Sequence, residues 1–177
     1  KEIFEELPEV DAVVGTGSYE EIVQVADRVL EGGGEKLSCL RSPDERELTY
    51  QKRVVSTVGY YEYLKIAEGC DHHCTYCIIP KLRGRYRSRT SQDIRREAED
   101  LAEQGVKELM IIAQDITKYG RDIPGEKDLP ELLQDLCTIP GLQWIRLLYC
   151  YPEDITEKLM DVIAREPKIV PYLDMPI

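Results

Sequence analysis

The 177-residue chain lacks any apolar run approaching the roughly 18–20 residues of a membrane-spanning helix, and no signal-peptide pattern is visible in it. A membrane role is therefore not expected, and the reading is a soluble, cytoplasmic protein with reduced thiols. Six cysteines in a chain of this size do not make a disulfide scaffold. A surplus of positive charge is also missing. The net charge is −11 and the isoelectric point about 4.8, which does not describe a general nucleic-acid binder. The charge is uneven, with residues 1–50 markedly acidic and every charge from Lys81 to Arg89 positive. The chain starts at Lys1 rather than Met and stops at Ile177, inside the strand-like stretch "KIVPYLDMPI". It is read as a fragment, one domain plus a piece of another, long enough to bury a core.

A fourth cysteine is missing as well. "EGCDHHCTYCIIP", from Glu68 to Pro80, gathers Cys70, Cys74 and Cys77 and then offers no further thiol. In a reducing compartment such clustering points to metal or catalysis. Structural zinc sites usually take four ligands in two pairs. His72 or His73 would have to fold back awkwardly to complete one, and both read as solvent-facing loop residues. Ferredoxin-type clusters take four cysteines, and Cys39, Cys137 and Cys150 are remote in sequence. Those three read as ordinary linker or buried residues. The remaining reading makes the gap useful: three thiolates hold three irons of a [4Fe–4S] cube, and the fourth iron stays open for a ligand.

The surroundings are α/β. Ala12 to Val14 read as a short buried strand. Ser18, with Glu21 three residues on, reads as the cap of a helix whose apolar face is Ile22, Val25, Ala26 and Val29. Residues 35–57 are polar and aperiodic and read as a linker. From Tyr60 onward strands and helices alternate: "YYEYLKIAEG", a helix capped by Thr90 with Ile94, Ala98, Leu101 and Ala102 inward, "VKELMIIAQD", a helix with Pro130 in its first turn, "LQWIRLLYCYP", a helix with Ile155, Leu159 and Val162 inward, and "KIVPYLDMPI". Near-continuous apolar strands in this alternation predict a parallel sheet with right-handed crossovers. Whether the sheet is open or an arc of a barrel is not decided by the pattern. In either case sites gather at the C-terminal ends of strands, where the cysteine loop and "AQD" both fall.

The motif C-x3-C-x-aromatic-C, in a loop after the first strand of a βα series, resembles the radical S-adenosylmethionine (SAM) enzymes. Cys70, Cys74, Tyr76 and Cys77 match it. The resemblance implies a full or partial (β/α) barrel and a [4Fe–4S] cluster held by the three cysteines. It further implies that the open iron chelates SAM, which one electron cleaves to methionine and a 5′-deoxyadenosyl radical. Tyr76 would lie near the adenine. Gln114 and Asp115 would stand where the family contacts the SAM amino group, although the segment here is Ala113-Gln114-Asp115 rather than Gly-Gly-Glu. The residue-level alternative is a polar strand end that caps the following loop.

Longer stretches narrow the resemblance to the methylthiotransferases. "LPEVDAVVGTGSYEEI" is similar to the end of their N-terminal domain, and "EGCDHHCTYCIIPKLRGRYRSR" to their cluster loop. "IIAQDITKYG", "WIRLLYCYPEDITEKLMDVIA" and "VPYLDMPI" resemble the branch that methylthiolates an aspartate β-carbon on a small-subunit ribosomal protein. The implied fold is α/β, a truncated partial (β/α) barrel over residues 58–177. Before it come a linker at 35–57 and, at 1–34, an αβ tail of the N-terminal domain. A second [4Fe–4S] cluster is expected in a preceding region, and a flavodoxin or ferredoxin is the implied electron donor. The competing expectations are a tRNA adenosine methylthiotransferase and a non-catalytic zinc- or iron–sulfur-bearing module. Lys81, Arg83, Arg85, Arg87 and Arg89 would share one face of an extended segment, as an anion site or as a solvated loop. Arg146, alone in an apolar strand, is either a substrate contact or half of an ion pair. Tyr60, Tyr61 and Tyr63 read as strand packing.

Overall fold

The computed structural model describes residues 2–53, 55 and 59–175. Three expectations fall partly outside these residues: the linker at 54 and 56–57, the domain start at 58, and the last two residues of the closing strand. The chain divides into two compact units, residues 1–47 with 72–85, and residues 48–71 with 86–177.

The first unit opens with α1 (Glu2–Glu6) and β1 (Ala12–Val14), then α2 (Ile22–Leu30) and β2 (Leu37–Cys39). β1 and β2 pair in parallel, Ala12 with Leu37 through Val14 with Cys39, with α2 as the crossover. A strand thus occupies part of the stretch read as linker. Three residues are too few for alternation to register in the sequence. Ser18 does not cap α2. A turn of 3₁₀ helix, Tyr19–Glu21, intervenes, and the Ser18 hydroxyl accepts the Arg41 backbone N–H instead (3.1 Å). Of the expected apolar face only Val25 is buried, Val29 is half-buried, and Ile22 and Ala26 are exposed. Two three-residue strands give the helix only a narrow stripe to cover. The same unit holds α3 (Ile79–Arg83), with Pro80 in its first turn, where a missing N–H costs nothing. Beyond it, the backbone N–H of Arg85 donates to Asp44 Oδ1 (2.7 Å), and Thr16 donates to the Leu82 carbonyl (2.6 Å).

The second unit is built on four parallel strands: β3 (Tyr61–Lys65), β6 (Glu108–Ile112), β7 (Trp144–Leu147) and β8 (Ile169–Leu173). Between β3 and β6 come β4 (Ala67–Glu68), β5 (Arg87–Ser88) and α4 (Ser91–Glu103). α5 (Leu129–Cys137) and α6 (Glu157–Arg165) link the later strands. The spatial order follows the chain order, with no strand crossing back. This is the arrangement of a barrel arc, since a doubly wound sheet reverses at a switch point. The register between β7 and β8 shifts between Ile145 and Leu147. β8 holds Pro171, which has no N–H for a ladder and suits an edge position.

One face of the sheet carries Leu64, Leu109, Ile111, Ile145, Leu147 and Ile169, all buried. Against them lie Ile94, Ala98 and Leu101 of α4, Leu132, Leu133 and Leu136 of α5, and Leu159 and Val162 of α6, in one continuous core. Each such Leu or Ile contributes about 1.5–3 kcal/mol. The opposite face alternates out of phase and is half-buried to exposed: Tyr61, Tyr63, Met110, Trp144 and Arg146. The strands are therefore covered on one side among the described residues. Tyr60 is exposed, and Tyr61 and Tyr63 stand edge to face on the open side, ring centroids 6.1 Å apart. Thr90 caps α4 as the sequence predicts, accepting the Asp93 N–H, and Pro130 lies in the first turn of α5, where Asp128 and Glu131 form a reciprocal capping box that the sequence reading did not name.

Candidate active site

The base of the cysteine loop is closed by an antiparallel ribbon, Ala67 against Ser88 and Glu68 against Arg87. The Arg89 N–H donates to the Ile66 carbonyl (2.9 Å), and the Tyr86 N–H to Asp71 Oδ1 (3.1 Å). Cys70 belongs to this base and is buried. Residues 72–85 belong to the first unit. There Cys77 donates its N–H to the Cys74 carbonyl (3.1 Å), closing a turn that leaves both thiols half-buried. Tyr76 at the tip is 90% exposed, His73 is exposed and His72 half-buried. None of the six cysteines forms a disulfide. Among the described residues, no three or more His, Cys, Asp or Glu side chains form a group able to hold a metal ion.

The remaining cysteines are structural. The Cys39 thiol donates to Glu21 Oε2 (2.9 Å) from within β2. Burial pushes the Cys137 thiol up to about 11 and the Cys150 thiol up to about 12, the latter aided by the charges of Asp115 and Asp174. Both stay protonated at neutral pH, and the thiolate is the form that binds metal.

The basic residues do not share a face. Lys81 and Arg83 lie on the helical turn of α3, which breaks the alternation. Arg85 is exposed and Arg87 half-buried. Arg89 turns into the core, 7% exposed. Its Nε and Nη2 grip Asp93 (2.8 and 2.6 Å), and its Nη1 reaches Glu97 and the Lys65 carbonyl (2.6 Å each). Arg89 is thus a structural ion-pair residue, because buried carboxylates on α4 outbid solvent for it. Arg146 is likewise paired, its Nε 2.7 Å from Glu108 Oε1.

Gln114 and Asp115 follow β6 at its C-terminal end. Asp115 is fully buried. Its carboxylate accepts the Thr117 N–H (2.9 Å) and the Thr117 hydroxyl, capping the 3₁₀ turn Ile116–Lys118. Gln114 Oε1 is buried with no hydrogen-bond partner. An orphaned amide oxygen costs about 1–3 kcal/mol, and such groups in native proteins answer to a ligand or a water. The neighbouring loop ends are tied together: Ile116 N–H to the Tyr149 carbonyl (3.1 Å), and Cys150 N–H to the Asp174 carbonyl (2.8 Å). Tyr149 has φ 64°, the one non-glycine in the left-handed region among the described residues. Such strain clusters at functional sites. Sequence reasoning missed Tyr86, Ser88 and Asp122. The Tyr86 hydroxyl donates to the Asp115 carbonyl (2.9 Å), and Asp122 holds both the backbone and the hydroxyl of Ser88. The only signal for Tyr86 is an aromatic residue inside a basic run.

The donor chemistry fits a three-thiol iron–sulfur site. Cys70, Cys74 and Cys77 fall within eight residues of the loop that follows β4, whereas Cys39 bonds Glu21, Cys137 is half-buried and Cys150 is buried. The orphaned Gln114 oxygen beside that loop's base fits an amino-group ligand.

Known proteins resemble the chain along its whole length. The ribosomal protein uS12 methylthiotransferase RimO of Lachnoclostridium phytofermentans is 54% identical over 177 residues, all of this chain and 40% of its own. RimO of Clostridium tetani is 50% identical over 177 residues, covering 39% of that protein. The chain thus spans about two fifths of the length of these relatives. Two solved structures of TsrM, a radical S-adenosylmethionine methyltransferase from Kitasatospora setae, share the fold. One has cobalamin and a [4Fe–4S] cluster bound, the other tryptophan and aza-SAM. Their TM-scores are 0.51 and 0.52 at 21% and 20% identity, over 66% and 73% of this chain and 22% and 25% of TsrM. At that identity the likeness is one of fold. The model of the Radical SAM superfamily matches residues 64–177, more than half the chain, from mid-β3 through the cysteine loop to the end. With that match over the strand series and the thiol loop, the chain belongs to the radical SAM superfamily.

Proposed function

We propose that this chain is the SAM-cleaving part of a methylthiotransferase that modifies an aspartate β-carbon on the small-subunit ribosomal protein uS12. The observation that carries the reading is the 54% identity to a uS12 methylthiotransferase across all 177 residues, cysteine loop included. Cys70, Cys74 and Cys77 would hold a [4Fe–4S] cluster as thiolates, and the bound cluster would supply an open iron for SAM and the one-electron chemistry that cleaves it. Gln114 accepts a hydrogen bond from the SAM amino group through its otherwise orphaned oxygen. Asp115 acts behind it, holding the turn that follows β6. Tyr76, exposed at the loop tip, flanks the adenine. The radical SAM domain begins near residue 58, after an N-terminal-domain end at 1–34 and a connecting stretch. A flavodoxin or ferredoxin supplies the electron, and the ribosomal substrate sets a cytoplasmic location. No helix among the described residues is long and apolar enough to cross a membrane.

The test is mass spectrometry of uS12 and of tRNA from a strain lacking the gene. Loss of the methylthio group from uS12 alone is expected. Loss from tRNA with uS12 unchanged would overturn the substrate assignment. The purified protein should be brown from its cluster, and a colourless, zinc-loaded protein would overturn the enzymatic reading.

A further inference from the structure

The loop that follows β6 reaches across to the outgoing arm of the cysteine loop, residues 86–89, at four points within the second unit. The Tyr86 hydroxyl donates to the Asp115 carbonyl (2.9 Å). The Ser88 N–H and hydroxyl donate to the two oxygens of Asp122 (2.8 and 2.6 Å). The Gly120 N–H donates to Ser88 Oγ (2.9 Å), and the Tyr119 hydroxyl donates to the Arg89 carbonyl (2.9 Å). Tyr86, Ser88 and Tyr119 are all buried. Two antiparallel residue pairs form the base of the cysteine loop, too short a ribbon to be stable alone.

We infer that residues 115–122 form a clasp, with Tyr86 and Asp122 as positioning residues that set the base of the cysteine loop against Gln114. The route is continuous. Cys70 precedes Asp71, whose carboxylate accepts the Tyr86 N–H, and the Tyr86 hydroxyl ends on the backbone beside Gln114. One side chain therefore joins a proposed cluster ligand to a proposed SAM ligand. Burial and the nearby Asp115 charge push the Tyr86 phenol far above its usual range, so it remains a donor at any working pH. Asp122 fixes the strand two residues further on, at Ser88. Buried hydrogen bonds of this kind keep both ends of a site within the tolerance that binding demands.

The inference rests on the reading of the site given above. It is tested on the full-length protein, anaerobically reconstituted and reduced, as wild type, Tyr86→Phe and Asp122→Asn. SAM is titrated against the electron paramagnetic resonance signal of the cluster, with iron content and unfolding midpoint measured alongside. Both variants should keep their iron yet require about three- to tenfold more SAM, the equivalent of one buried hydrogen bond. Amide exchange at 86–89 and 115–122 in the iron-free protein should quicken. Leu159→Val, in α6 and away from the clasp, should lower stability and leave SAM affinity alone. Variants that titrate like wild type, or that both fail to hold iron, overturn the clasp. A wild-type signal indifferent to SAM overturns the reading of the site itself, and the clasp's role in SAM binding with it.

Discussion

Replacing Arg89 with Met should loosen α4 from the sheet. The guanidinium is buried and holds two carboxylates of low exposure, Asp93 and Glu97, at 2.6–2.8 Å. Removing one partner of a buried pair costs about 3–5 kcal/mol, because a charge is left uncompensated. Here the loss falls at the lower end. The Tyr50 N–H still donates to both Asp93 oxygens (2.9 and 3.0 Å), and Arg53 Nε lies 3.4 Å from Glu97 Oε1. Arg53 is more than a third exposed, so its compensation is discounted for solvent screening. A loss of about 3 kcal/mol lowers amide protection by roughly a hundredfold. Hydrogen exchange of the α4 amides in the full-length protein reads this directly. Adding Glu97→Leu to Arg89→Met should recover part of the loss, since it removes one stranded charge. Protection of α4 unchanged within threefold would refute the claim that this network is buried and strongly coupled.

Two further outcomes follow from single positions. Gly84 has φ 76°, and a Cβ there would overlap the Asp44 carboxylate, which accepts the Arg85 N–H. With ψ −163° as well, Gly84 holds a conformation essentially reserved for glycine, so Gly84→Ala should cost about 1–3 kcal/mol, seen as lower amide protection at Arg85; an unchanged value would show that the backbone and Asp44 give way freely. Cys150 has its thiol raised to about 12. Its contribution to stability is complete below the usual thiol value of about 8.5 and is lost as pH rises toward 12. Alkylation of the iron-free protein at pH 8 should modify Cys74 and Cys77 well before Cys150, and early labelling of Cys150 would contradict its burial.

Much of this was legible in the chain. The spacing of Cys70, Cys74 and Cys77 pointed to a three-thiol site, because ligand number and loop length are local properties. The cap Thr90, the place of Pro130 in the first turn of α5 and the inward stripes of α4 and α6 were readable for the same reason: each depends on residues within a turn or two. Alternation from Tyr60 onward determined a parallel α/β sheet. What lies between distant segments was not encoded in any window. The run from Lys81 to Arg89 looked like one basic face, yet the fold curled Lys81 and Arg83 into α3 and turned Arg89 inward onto the Lys65 carbonyl, beside Asp93 and Glu97. Ser18 had the spacing of a cap and was taken by the Arg41 backbone. Tyr86, Ser88 and Asp122 carried no motif, because a hydrogen bond between residues 34 apart leaves no periodic trace. The sequence by itself determined the alternation of strands and helices from Tyr60 onward and the close spacing of three cysteines along the chain. Tertiary structure decided which polar groups meet, since a buried charge or hydroxyl takes the partner that packing delivers to it.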